Sequence, residues 1–114
     1  MIVIKSNIIP FSGYSAIALW PFIFVRKGYA KDDPVRYGRM LNHEKIHCRQ
    51  QLEMLLVLFY VWYLVEWLYR SIEFGSFSKG YRNISFEREA YANESYDVYL
   101  EIRKLYSWVK YLKY

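Results

Sequence analysis

The sequence predicts an α+β domain, and three observations carry the prediction. The first 25 residues are short β-branched and aromatic runs cut by Pro10, Gly13 and Pro21, a pattern of strands rather than helix. From Val35 or Asn42 to Ile72 there is no Pro, and no Gly after Gly38, in a stretch rich in Leu, Glu, Gln and Met, which form helices readily. From Phe86 to Tyr111 apolar residues return at helical intervals, at Tyr91, Val98, Ile102, Leu105 and Val109.

Taken in order, strands are expected near Ile2 to Ser6 and Ala16 to Val25. Pro21 cannot donate to a ladder, so the second strand should have an edge or a bulge there. Arg26 to Arg36 contains Gly28, Asp32, Asp33 and Pro34 and reads as a polar connection that stops the strand and leads into a helix, with Asn42 near its entrance. That helix is expected to run as one rod to Ile72. Its second half, Met54 to Val65, has no charge between Glu53 and Glu66, but is short of the roughly twenty residues of a membrane span. A helix apolar all round is buried centrally or touches lipid. Gly75 to Gly80 is a loop, and a further helix follows it.

Composition bounds the class. The 114 residues fit one domain, 1–114, which excludes a two-domain enzyme. With 54% apolar and 24% charged residues the chain can bury a core and is unlike a disordered one. The single cysteine, Cys48, rules out an intrachain disulfide framework, so stability is expected from packing or metal. Lys5 interrupts the first apolar run, so no cleaved export signal is predicted and the expected location is the cytoplasm or the cytoplasmic face of a membrane. The net charge of +5 gives mild attraction to anionic partners. Nucleic acid is not expected as a partner, because the basic residues are scattered and the base-stacking strand motif is missing.

One constellation carries chemistry. Residues 43–47 read HEKIH, the pattern in which two histidines four apart project from one helical face toward a single Zn²⁺. His43 and His47 are the only histidines in the chain; chance placement of both at this spacing with Glu44 between them is on the order of one in a thousand. Glu44 projects to a neighbouring sector, where it can take a proton from water activated by the metal. A catalytic zinc normally has three protein ligands, and with no third histidine a carboxylate must supply the last. Cys48 points about 100° away from His47 and is expected to be a small buried residue. Glu53 and Glu66, on the same rod, are not expected to reach back, which leaves the later helix. Glu87 and Glu89, two apart, cannot both face one metal, and the residues alone do not choose between them.

HEKIH followed by EREAYANE, residues 87–94, resembles the glutamate-type zincin metallopeptidases in a minimal, single-domain bacterial version. In that family the third ligand opens a Glu-x-x-Ala-Asp or Glu-x-x-Ala-Asn element on a later helix. The resemblance implies Glu87 as the ligand, Ala90 as the small residue that lets the helices approach, and a short N-terminal sheet whose edge strand lines the substrate cleft. It also implies a zinc-dependent peptidase acting on a peptide or protein, with Glu44 as general base. Tyr91 stands where the family commonly has an Asp or Asn behind a zinc-bound histidine. Gln50 could hydrogen-bond a ligand, and Tyr81 or Arg82 could donate to a developing oxyanion. An extended peptide could pair with the free edge of the Ala16 to Val25 strand.

The alternative is a noncatalytic zinc-stabilised binding module. The apolar half of the long helix, with its tyrosines and tryptophans, fits peripheral contact with a membrane surface or a homodimer interface.

Overall fold

The computed structural model describes residues 2–7 and 15–113; the expected break through Pro10 and Gly13 lies outside them. The expected α+β domain is what forms: an N-terminal sheet, a long helix carrying HEKIH, and further packed helices. Strand β1 (Ile2–Ser6) runs parallel to β3 (Phe22–Arg26), and β2 (Ala16–Leu19) pairs antiparallel with β3, giving the order β1-β3-β2. The single strand expected over Ala16 to Val25 is therefore a hairpin. Pro21, with no N–H to give, stands at the turn, after a cis Trp20–Pro21 bond, rather than within a ladder. Alternation puts Ile23 and Val25 of β3 on one face, where they are buried with Ala18, Met40 and Cys48.

Helix α1 spans Pro34–Glu53. Asp33 caps it by accepting the Arg36 N–H at 3.0 Å, and Pro34, whose missing N–H costs nothing there, opens it. Asn42 is thus inside the helix and not at its entrance. Its amide donates to the carbonyls of Asn93, Glu94 and Tyr96 at 2.9 to 3.3 Å, holding a distant loop against α1.

The long rod is broken. After Glu53 the chain turns and resumes as α2 (Val57–Phe74), bent 113° from α1. Leu55 and Leu56 both take positive φ, 54° and 60°, at a cost of about 1–2 kcal/mol each for L-residues. The Leu56 N–H bonds Gln51 O at 2.8 Å, and burial of Phe59 against Ile84, Phe86 and Trp108 offsets the strain. Among the described residues no single helix is long and apolar enough to cross a membrane; the bent pair α1 and α2 meets that measure only jointly.

The rest of the chain packs on this frame. Helix α3 (Phe77–Arg82) lies so close to α2 that a Cβ on Gly80 would meet Ser71 backbone at 2.6 Å. Helix α4 (Ser85–Asn93) starts on Glu66, whose carboxylate accepts the Ser85 N–H at 2.7 Å and the Ser85 hydroxyl at 2.6 Å. A carboxylate at a helix N-terminus is favourable in charge as well as geometry. The single helix expected from Phe86 to Tyr111 is three pieces: α4, α5 (Tyr99–Ile102) and a 3₁₀ helix (Ser107–Leu112). Between the last two, Arg103 bonds Glu53 and Glu89 with all three side chains almost fully buried.

Candidate metal centre

Helix α1 presents His43 and His47 one turn apart, and α4 crosses them with Glu87. His43 Nε2 lies 3.1 Å from His47 Nε2, and Glu87 Oε1 lies 3.2 Å from the first and 3.1 Å from the second. Ligand atoms about 2.0–2.1 Å from a tetrahedral zinc stand about 3.3 Å apart, so this triangle is close to the size such an ion requires. The triad matches the HExxH-type zinc-binding motif, and the cluster can coordinate a divalent metal.

Protonation follows from what surrounds each ring. The Gln50 amide nitrogen donates to Phe86 O at 3.2 Å and Glu89 Oε1 at 2.8 Å, which fixes the amide and leaves its oxygen facing His47 Nδ1 at 2.8 Å. That oxygen can only accept, so Nδ1 of His47 carries the proton and Nε2 offers a lone pair. His43 Nδ1 faces the Glu94 carboxylate at 2.8 Å, with the same result. The Nε2 atoms of both imidazoles and a carboxylate oxygen therefore converge on one point, an arrangement that demands positive charge there, whether a proton or a metal ion. The titration of these groups expresses the same demand. Burial opposes the imidazolium of His43, yet hydrogen bonds to Glu87 and Glu94 push its pKa up to about 10. Burial also opposes charge on Glu87, but His47 and His43 hold its carboxyl well below the usual carboxylate range.

Two partners of this centre were not legible in the sequence as such. Glu94 supplies the carboxylate behind His43, the place expected to depart from the family at Tyr91; Tyr91 instead packs its ring against His43 at 4.5 Å between centroids. Tyr63 donates to Glu87 Oε2 at 2.7 Å, which leaves Glu87 Oε1 facing the histidines. The signal for Glu94 was its place two turns beyond Glu87. Tyr63 had none, because its position depends on the bend at Leu55 and Leu56.

Other expected residues fall as follows. Glu89 turns away from the histidines to Gln50, Tyr99 and Arg103, so Glu87 alone of that pair faces the donors. Glu53 is bound to Arg103, and Glu66, which the break carries off the α1 rod, is spent on Ser85 and Arg70. Cys48 is buried in the sheet-side core, and burial pushes its thiol up to about 12, which leaves it inert.

Glu44 is buried beside the triad and takes the Ala18 backbone N–H. Burial raises its carboxyl above the usual range, moderated by the two histidines. It stands between two cavities. One, of about 310 Å³, is walled by β2, Phe59, Tyr63 and Trp67 and reaches His47 and Glu87. The other, of about 730 Å³, reaches His43 and is bordered by Arg36, Arg39 and Arg82. Tyr81 lines both. The free edge expected on the second strand belongs to β2 and is partly occupied: Gln51 takes the Trp20 N–H and donates to Ala18 O, each at 2.8 Å. Pairing with a peptide is thereby restricted to the part of β2 near Ala16.

No family model, curated protein or solved structure matches this chain. The class defined by fold and site is thus read from geometry alone: a small α+β domain with a buried His/His/Glu centre of the zinc hydrolase type.

Proposed function

We propose that the chain is a zinc-dependent peptidase in which His43, His47 and Glu87 hold Zn²⁺ and Glu44 is the general base. The observation that carries this reading is the convergence of two imidazole nitrogens and a carboxylate oxygen beside a second buried carboxylate where two cavities meet. Bound there, zinc would supply Lewis acidity, acidifying water and polarising a carbonyl. The remaining work belongs to side chains. Glu44, with its affinity for a proton raised by burial, takes one from the attacking water and returns it to the departing amine. Tyr81, which burial keeps protonated and which is hydrogen-bonded to Tyr91, lines both cavities and would have to turn from Tyr91 to donate to an oxyanion in the cleft. Tyr63 and Glu94 hold Glu87 and His43 in place. The aromatic cavity suits an apolar side chain on one side of the scissile bond, and the arginine-bordered groove suits an acidic group on the other.

Metal content and hydrolysis measured together test the reading. Wild type should bind one zinc and cleave; Glu44→Ala should keep the zinc and lose about 10²–10⁴ in rate; Glu87→Ala should lose the zinc and Glu89→Ala keep it. Absence of metal after refolding in zinc would end the proposal. The second reading, a zinc-stabilised binding module, draws on the same centre, since its donors join α1 to α4. A metal without an exchangeable water would favour it.

A further inference from the structure

Helix α2 wears its apolar residues on the outside. Val57, Val61, Leu64, Val65, Leu68 and Ile72 are all exposed, Ile72 to 84%, and they repeat at helical spacing along about 22 Å. The charged residues of α2 are Glu66 and Arg70, both buried, and Glu73, which is bonded to Arg70 at 3.0 Å. Its outward face is thus without an unpaired charge over its whole length. Both segments that flank it are basic. α3 is tied to α2 by the Trp67 indole donating to Phe77 O at 2.9 Å, and the 3₁₀ helix by Trp108 against Trp62 and by Arg70 donating to Leu112 O at 2.8 Å. Residues 74–86 and 102–113 contain no Asp or Glu, and they expose Lys79, Lys104, Lys110 and Lys113.

We propose that the outward face of α2 docks on an anionic lipid bilayer, lying in the interface with the flanking lysines on the headgroups. An uncharged apolar stripe with a cationic border is the surface such a bilayer complements. A second copy of the chain complements it poorly, because a two-fold contact brings the same lysines to the same rim. At 18 residues α2 by itself is short of the roughly twenty of an ordinary span, which suits a helix lying on a membrane.

Cosedimentation of the full chain with phosphatidylcholine vesicles, with and without about one-third phosphatidylglycerol, tests this at low and high salt. Binding should require phosphatidylglycerol and weaken as salt rises. Val61→Glu with Val65→Glu should weaken it at least about tenfold. Lys110→Glu with Lys113→Glu, both exposed and checked for fold by circular dichroism, should abolish the preference for phosphatidylglycerol. Absence of binding to either vesicle by the wild-type chain, or binding indifferent to both pairs of substitutions, would overturn the proposal. So would a dimer in sedimentation equilibrium that Val61→Glu with Val65→Glu dissolves while no vesicle is bound.

Discussion

Helices α1 and α2 invert the ordinary rule in opposite senses. α1 buries His43, Glu44, His47, Gln50 and Gln51, while α2 exposes most of its aliphatic residues. Polar groups inside cost free energy unless paired, and apolar groups outside forgo what burial would give. In α1 the polar groups are paired or aimed at a common point; in α2 the apolar groups are left open. Both departures sit where we propose a partner from outside the chain, an ion for the first helix and a lipid surface for the second, and the positive-φ turn at Leu55 and Leu56 separates them.

The largest expected effect lies on the buried side. Glu87→Gln should lower zinc affinity by several orders of magnitude, because the charge that gathers the lone pairs is gone; competition with a chelator measures it. Arg103→Ala should cost about 3–5 kcal/mol in denaturant unfolding, since it leaves Glu53 and Glu89 buried without their cation. Its pH dependence has a definite sign. Burial opposes charge on Glu89, but bonds from Arg103, Tyr99 and Gln50 prevail and lower its pKa in the folded state. That contribution is complete above the unfolded value of about 4.3 and fades as pH falls through the folded value. In the variant burial acts on Glu89 without that cation and raises its pKa, so the gap between wild type and Arg103→Ala should be widest at and above neutrality and narrow as pH falls toward and below about 4. Gly80→Ala should destabilise by about 1–3 kcal/mol through its clash with Ser71. Leu55→Gly should be the smallest change and of opposite sign, a gain of about 1 kcal/mol, because Leu55 is 75% exposed and glycine accepts its φ without strain. If Leu55→Gly stabilises the fold yet leaves zinc binding untouched, the two helices are energetically separable.

How much of this was legible depended on distance along the chain. The histidine pair is a local fact of helical spacing, so HEKIH revealed it. Glu87 came from a resemblance, and Glu89, equally acidic and two residues away, shows why spacing alone could not choose: the choice is made by Gln50, Tyr99 and Arg103, which claim Glu89 first. The rod expected to reach Ile72 failed because nothing in Met54-Leu55-Leu56 signals a turn; good helix formers adopt left-handed backbone there only because Phe59 gains a core on the far side. Pro21 was read correctly as a residue unable to serve a ladder and wrongly as lying within one.

Arg103 reaches the centre through a relay: it holds Glu89, Glu89 orients the Gln50 amide, and Gln50 decides which nitrogen of His47 keeps its hydrogen. All three donors precede it in the chain, so during synthesis they emerge before the residue that readies them. Ion capture should therefore be a late event in assembly, awaiting an arginine that never touches the ion.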